Sequence, residues 1–244
     1  MPSSGTFNFN PAASDLVLTA FSRCGKSGAA LTAEHLHQAS NEANLLNVEW
    51  TNRGVNLWKS ETIRFPSVGN FTQGIGQYVL SATTIAVQMC YVQIMVGGQP
   101  VNRVLGPLSN TEFAALPQPL SQGPPTSFWF DRQIIPTMNL WPVPDLSNTY
   151  TGFVRALTQI EDVVLPAGVT LNTPYRFFDA FVAGLAMRLA VHYAPERLGT
   201  SATPRTAGTG LTGLYERAWD DATRQDTEAV PMSIAPQLGS YYRI

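Results

Sequence analysis

Charged residues are what this sequence has least of. Asp, Glu, Lys and Arg make up 13% of its 244 residues, whereas roughly 25% is usual in soluble domains. No acidic or basic side chain occurs between Arg64 and Arg103. The net charge of −2 argues against a dedicated nucleic-acid-binding protein, whose affinity depends on neutralising phosphates. A polar but uncharged surface favours burial against neighbouring copies, because interface cores are depleted of charged residues.

Cysteines are also few, and no segment shows the pattern of a signal peptide or a membrane span. Cys24 and Cys90 are the only two cysteines, too few for a secreted disulfide framework, so we expect free buried thiols. The first ten residues lack the basic start and the apolar stretch of a signal peptide. The most apolar helical pattern, 177–193, contains charged residues and is too short to span a bilayer. We therefore expect a protein made in the cytoplasm, with no membrane partner.

One motif resembles a cofactor-binding sequence. GTGLTG at 208–213 matches the dinucleotide-binding pattern G-x-G-x-x-G. That pattern binds pyrophosphate where it joins a strand to a helix within a βαβ unit. Here it follows the polar segment 199–210, which we expect to be a flexible loop, and no βαβ pattern surrounds it. We predict a helix start at this motif and no cofactor.

Residues typical of metal sites and catalytic sites do not form a recognisable set. His35 and His37 lie two apart in a predicted helix, so their rings point to different faces and cannot bind one metal, and His192 is isolated. No G-x-S-x-G motif occurs, and no cysteine has a nearby histidine. Paired acids of the glycosidase type are conceivable, but turn and ion-pair roles explain each candidate carboxylate: Glu49, Asp131, Asp145, Glu161 and Asp162. We predict no catalytic residues, no metal site and no enzymatic activity.

Amphipathic helices are predicted near both ends of the chain. In the first part, Ser14 can cap a short helix, and Thr32 can cap a longer one that ends at Gly54. In the last part, Thr173-Pro174 predicts a helix start. The three- and four-residue spacing of apolar residues over 211–222 predicts a final helix.

Between the helices, from 61 to about 164, the apolar pattern changes to a period of two. Gly- and Pro-rich turns separate the expected strands, and Ser109 or Thr111 can cap a helical turn among them. The expected strands are 77–80, 85–89, 91–96, 128–130, 138–141 and 150–157. An all-β insertion of this length predicts a small sandwich or barrel.

The sequence thus predicts an α+β fold with four parts. The N- and C-terminal helices form a helical bundle, into which an all-β sandwich or barrel-like domain is inserted, and an extended C-terminal arm follows. The arm has two prolines and several apolar side chains, which need either a partner surface or the chain's own domain to cover them. The expected boundaries are 1–60, 61–172, 173–229 and 230–244.

Three runs of sequence carry a resemblance to a known family. They are LLNVEWTNRGVNLW at 45–58, FWFDRQIIPTMNLWPVPD at 128–145 and PYRFFDAFVAGLAMRLAVHYAP at 174–195. Together with the order of helices, β middle, helices and proline-bearing tail, they resemble the head-to-tail adaptors of short-tailed bacteriophages. That family includes the tail accessory factors and the tail tubular proteins. The resemblance spans nearly the full chain and rests on pattern and order, not on an invariant chemical group.

The resemblance implies a structural protein of the virion, assembled in the host cytoplasm at the head–tail interface. It implies a homo-oligomeric ring of twelve copies between the portal protein and the tail nozzle, with tail fibre proteins as further partners. Genomic DNA would pass through the ring without sequence-specific binding. The helices would build the ring and the arm would reach into clefts of the portal. The expected portal-binding residues of the arm are Met232, Ile234, Leu238, Tyr241, Tyr242, Arg243 and Ile244.

The tryptophans give a competing interpretation. Indole rings stack on sugars and bases, so a β domain that displays them could be a glycan- or receptor-binding module of a tail or surface assembly. Their positions in periodic stripes favour packing in the core or in an interface instead. The five residues are Trp50, Trp58, Trp129, Trp141 and Trp219.

Overall fold

The computed structural model describes residues 9–54, 57–145, 149–165, 168–203 and 206–224. Within them the chain is a mixed α+β protein with five helices and two four-stranded sheets. The helices are α1 (Ala13–Arg23), α2 (Ala33–Asn52), the short α3 (Asn110–Ala114), α4 (Phe178–Tyr193) and α5 (Gly210–Arg224). The first and last pairs of helices come from opposite ends of the sequence and share one cluster of buried side chains.

Helix α4 occupies the centre of this helical cluster. Ten of its sixteen residues are buried, and it packs against α1, α2 and α5. Its sequence is apolar on nearly every side, which is the pattern of a helix surrounded by other helices. Gly184 permits the closest approach, because a Cβ atom there would lie 2.8 Å from the Tyr215 ring and 3.0 Å from Leu46.

The predicted start of α2 is confirmed, whereas two other predicted starts are wrong. The Thr32 hydroxyl accepts the His35 backbone N–H, and the His35 ring accepts the Thr32 N–H at 3.0 Å. Helix α1 begins at Ala13, one residue before Ser14, so Ser14 lies within its first turn and does not cap it. The Ala13 N–H donates to the Val169 carbonyl. Helix α4 does not begin at Thr173-Pro174, because a 3-10 turn at Tyr175–Phe177 precedes it.

The strands form two sheets in which most neighbouring strands are antiparallel. The first has the order β1 (Ser60–Phe65), β8 (Tyr150–Thr158), β3 (Thr84–Val96) and β4 (Gln99–Val104). The second has the order β2 (Gln77–Val79), β7 (Thr137–Trp141), β6 (Ser127–Asp131) and β5 (Gly106–Pro107). The two strands expected at 85–89 and 91–96 are one continuous strand. The sequence patterns did not predict β1, β4 or β5 as individual strands. The sheets do not close into a barrel, so the barrel alternative is wrong.

The two sheets share a second cluster of buried residues, which we call the β cluster. Side chains such as Cys90 and Val154 reach it from the first sheet, and Met138 and Leu140 reach it from the second. The chain passes between the sheets at Leu105, whose N–H donates to Cys90 of β3, while the next N–H donates to Thr126 near β6. This passage joins the two sheets along one side.

The segment after β8 returns the chain to the helices. Ile160 and Val163 are buried in the helical cluster, and the Ser40 hydroxyl donates to the Val163 carbonyl at 2.9 Å. Both cysteines are free and buried, as expected, with Cys24 among the helices and Cys90 in the β cluster. No described helix has both the length and the apolar character needed to cross a membrane.

Replacing Gly184 with leucine should destabilise the helical cluster. The new side chain meets the Tyr215 ring and Leu46 at sub-contact distance, so we expect the free energy of unfolding to fall by about 2 kcal/mol. Gly28→Ala is the matched control, since only Leu18 lies near its Cβ, at 3.7 Å. Urea unfolding followed by circular dichroism measures both variants. Equal stability of the two would contradict the close packing at Gly184.

Candidate assembly surfaces

A group of ionisable side chains, the helical ion cluster, lies where α2, α4 and α5 meet. Arg188 donates to Glu49 at 2.7 Å and to Glu42 at 3.3 Å. The Tyr215 hydroxyl donates to the other oxygen of Glu49 at 3.2 Å, and Arg53 pairs with the same carboxylate. One charged group on the central helix therefore connects two carboxylates of α2, and α5 joins through its tyrosine.

The surroundings shift the proton affinities of this cluster. Burial above all raises the pKa of Tyr215 to about 12, and the nearby Glu49 carboxylate acts in the same direction. The Trp50 indole N–H, which donates to the Tyr215 oxygen at 3.1 Å, and Arg53 oppose this rise. Burial by itself lowers the pKa of Arg188, but its hydrogen bonds to the two carboxylates outweigh that effect and raise it. The raised pKa values keep the Tyr215 phenol neutral and the Arg188 guanidinium charged at neutral pH, the states in which they make these contacts.

The outward face of α2 carries no unpaired charge over most of its length. Glu42 and Glu49 are the only charged residues between Glu34 and Arg53, and both bind Arg188. Two apolar side chains nevertheless point to solvent on this face, with Leu45 53% exposed and Val48 45% exposed. An uncharged helix face with exposed aliphatic residues has the composition of an interface core.

The hairpin formed by β3 and β4 is a second exposed apolar surface. All six residues of β4 are exposed, and the outer end of β3 is exposed as well. Gly97 and Gly98 form the turn between the strands, both with positive φ. The exposed large apolar residues of the hairpin are Met89, Met95, Val96, Val101 and Val104.

The turn between β6 and β7 forms a third exposed apolar surface. Ile134 is 95% exposed and Ile135 is 59% exposed, although both lie in the short connection between two strands. Beside this turn lies an open groove of about 440 Å³. Apolar side chains from both sheets line it, among them Met89, Val104 and Phe128. The sequence patterns did not predict this surface, although the Ile-Ile-Pro sequence between two strands was a visible signal of apolar residues in a turn.

The residues predicted for portal binding cannot be placed on any of these surfaces. The whole arm, 230–244, lies outside the described residues. Its predicted binding residues therefore stay a prediction. They are Met232, Ile234, Leu238, Tyr241, Tyr242, Arg243 and Ile244.

The histidines are dispersed. His35 caps α2 and packs against Tyr193, with ring centroids 5.0 Å apart. His37 contacts Asn41 at 3.4 Å, and His192 lies 3.6 Å from a Glu42 oxygen. No group of three His, Cys, Asp or Glu side chains suited to hold a metal ion occurs among the described residues.

The candidate carboxylates have separate partners. Glu49 belongs to the helical ion cluster. Asp131 accepts from the Gln133 amide at 2.8 Å, Asp145 accepts from the Tyr150 hydroxyl at 3.0 Å, and Glu161 lies 3.6 Å from Lys59. The structure thus gives four of the five candidates the turn and ion-pair contacts expected of structural residues. The fifth, Asp162, has no side-chain hydrogen bond or ion pair with the residues that the structure describes.

The glycine-rich motif belongs to a tightly folded segment. Its described part before Gly210 has neither helix nor named strand, as expected of a loop, and hydrogen bonds cross it: the Thr200 N–H donates to Thr209 and Thr203 pairs with Thr206. The Glu216 carboxylate of α5 accepts the Ala202 N–H at 2.7 Å and the Ser201 hydroxyl. These hydrogen bonds lower the pKa of Glu216, the Ser201 contact most of all. Gly208 and Gly213 touch backbone to backbone, so the glycines serve close packing.

The tryptophans lie mostly against other aromatic rings. Trp50, Trp219 and Trp58 pack in or against the helical cluster. In the β region, Trp129 packs on Phe113 with ring centroids 5.2 Å apart, and the Trp141 indole donates to the Gln118 carbonyl. Only these last two are available to the glycan-binding interpretation, and each already has a partner.

The buried phenol gives the protein a specific alkaline sensitivity. The folded-state pKa of Tyr215 lies near 12, above the usual value of about 10, so its stabilising effect is complete below pH 10 and is lost as pH rises toward 12. Relative to pH 9, wild type should lose about 1.4 kcal/mol from this group by pH 11. Tyr215→Phe should lack this loss. Urea unfolding at both pH values measures it, and a stability gap between the two proteins that does not change with pH would contradict the assignment.

Comparison with known sequences identifies no family for this chain. No protein-family model matches the chain, and no curated protein is similar to it in sequence. The function therefore has to be inferred from the surfaces described above.

Proposed function

We propose that this protein is a structural adaptor that assembles into a ring between the portal and the tail nozzle of a short-tailed bacteriophage virion. In this proposal the four long helices form a bundle that makes the body of each copy. The two sheets, which share the β cluster, form a sandwich inserted into it. The ring has twelve copies, docks tail components on its outer side and surrounds the path of the DNA.

The observation that carries the proposal is the amount of apolar, uncharged surface that remains uncovered in a single chain. It includes the face of α2 with Leu45 and Val48, the fully exposed strand β4 and the Ile134–Ile135 turn. A soluble monomer rarely exposes several such patches, whereas a subunit of a large assembly buries them. The low charge of the whole chain acts in the same direction, since charged residues resist burial.

The charge distribution also supports a passive DNA channel. The net charge is −2, and the cations of the helical ion cluster are already paired with carboxylates. A protein that gripped phosphate groups would need free Lys and Arg in a stripe. In this proposal, DNA passes through the ring without being bound.

The ring and its attachment are tested together with the portal protein of the same virus. We expect the purified chain to form a ring stacked on the portal, seen in negative stain and by mass in light scattering. A chain ending at Pro231 should keep its circular dichroism spectrum and lose portal binding, because the apolar side chains of the arm are gone. This truncated chain is the matched control.

Two results would contradict the proposal. A full chain that stays monomeric and does not bind the portal removes the adaptor function, and screening of glycans against Trp129→Ala and Trp141→Ala variants then becomes the next experiment. Unchanged portal binding by the truncated chain contradicts the role proposed for the arm, but it does not contradict the ring.

A further inference from the structure

The first sheet has two free edges. Its order is β1-β8-β3-β4, and no described strand pairs with the outer edge of β1 or of β4. Free N–H and C=O groups along an edge pair readily with another chain, so soluble proteins usually cover such an edge or place charges on it. Strand β4 is exposed along its whole length and holds one charged residue, Arg103.

The two edges are compatible in direction. Every neighbouring pair in this sheet is antiparallel, so β1 and β4 run in opposite directions. When β1 of a second copy lies beside β4, that new pair is antiparallel too, and the sheet continues with the same alternation. The edges lie on opposite sides of the sheet, which makes the contact head-to-tail and lets it propagate from copy to copy, as a ring requires.

The backbone groups of β4 that face outward follow from the hydrogen bonds on its other side. The Leu105 N–H donates to the Cys90 carbonyl of β3 at 2.9 Å. Backbone groups alternate in direction along an antiparallel strand. Pro100, Asn102 and Val104 therefore direct their backbone groups away from β3, and only the proline lacks an N–H.

The backbone groups of β1 that face outward follow from its pairing with β8. The Phe71 N–H donates to the Tyr150 carbonyl at 2.9 Å, so Tyr150 and alternate residues of β8 direct their backbone groups toward β1. The β1 residues that face outward are consequently Ser60, Thr62 and Arg64. Both edges thus present three residues at the same spacing.

One register aligns these residues over the full length of both strands, with Thr62 opposite Asn102. Between the hydrogen-bonded pairs, where side chains lie closest, this register places Glu61 opposite Arg103 and Ile63 opposite Val101. An ion pair and an apolar pair therefore occur together. A shift of two residues in either direction places a charged residue opposite an aliphatic one.

The four side chains also share one face of the continued sheet. Phe65, two residues after Ile63, is buried in the β cluster. Val92, which lies opposite Arg103 within the sheet, is buried there too. Both matched pairs therefore lie on the side of the sheet that faces the β cluster, and the pairing extends that apolar side from one copy to the next.

The offset between copies fits a closed ring. Within one copy, Ile63 of β1 lies opposite Val154, which lies opposite Cys90 of β3. Val101 of β4, in contrast, lies opposite Ile94 of β3. Each copy is thus displaced by four residues across four strands. A stagger of about one residue per strand is the value at which tilted strands close in eight-stranded α/β barrels.

We propose that copies of this chain join through antiparallel pairing of β4 with β1 of the next copy, with Glu61 facing Arg103 and Ile63 facing Val101. This rests on the ring function proposed above and identifies the surfaces that build the ring. The exposed apolar residues of the β3–β4 hairpin add buried area beside the paired strands.

Disulfide trapping tests the register. In a non-hydrogen-bonded pair the Cα atoms lie about 4.5 Å apart, within the range that a disulfide bridges. Full-length protein carrying Ile63→Cys and Val101→Cys should form a ladder of covalent oligomers when oxidised, both free at high concentration and on the portal. Ile63→Cys with Asn102→Cys is the matched control, because Asn102 points to the other face. The native cysteines are buried, and oxidised wild type shows their background.

Charge reversal in the ion pair gives a second measurement, made on the double-cysteine protein. Glu61→Arg or Arg103→Glu, each introduced into the double-cysteine protein, should lower the ladder yield at least about fivefold, which corresponds to about 1 kcal/mol per contact. The two reversals together should restore it. Circular dichroism of every variant shows that the fold is retained.

The outcomes separate this inference from the adaptor function. Rings on the portal without a ladder, or a ladder of equal yield in the control pair, would overturn the edge pairing and leave the adaptor function intact. A ladder without portal binding supports the edge pairing and removes the adaptor function. Absence of both the ladder and the ring overturns both.

Discussion

The burial of α4 is the constraint on which the rest of the structure depends. This helix is apolar on nearly all sides, so it is stable only when α1, α2 and α5 surround it. Two of those helices come from the start of the chain and one from its end, so the helical cluster forms only when both ends meet. The β region is thereby held at both of its ends, through the start of β1 and through Ile160 and Val163 after β8. Arg188, placed on the same helix, then orients α2 by binding two of its carboxylates.

The scarcity of charge has opposite consequences inside and outside the fold. Inside, Arg188 and Lys59 each have carboxylate partners, because an unpaired charge in such a position is costly. Outside, too few charges remain to keep the α2 face and the edge of β4 from associating with another chain. A surface of this kind is a liability for an isolated monomer and an advantage for a subunit that is covered on several sides. The adaptor proposal and the strand-pairing proposal both follow from this single property of composition.

Local patterns predicted the elements whose signals are local. Thr32, Ser109 and Gly54 act as expected, because a cap depends on residues within one turn of the helix end. The strands of the β6–β7 hairpin were also recognised, since alternation and prolines mark them. The start of α1 was mispredicted because the helix begins one residue before Ser14, where a residue distant in sequence, Val169, accepts the Ala13 N–H. The start of α4 was mispredicted because a 3-10 turn precedes the helix. Strands β1 and β4 lacked a clear alternation because as edge strands they bury few side chains.

The sequence by itself determined the α+β class, the order of helices, β region and helices, the two free thiols and the shortage of charge, because each depends on composition or on short-range periodicity. Only the tertiary structure decided which surfaces stay uncovered. Glu61 and Arg103 stand 42 positions apart in the chain, and no local pattern relates them. Their complementarity appears once β8 and β3 lie between their strands and set the direction, the backbone phase and the offset of the two edges. Long-range pairing of this kind depends on register, which the hydrophobic pattern of an exposed strand specifies only weakly.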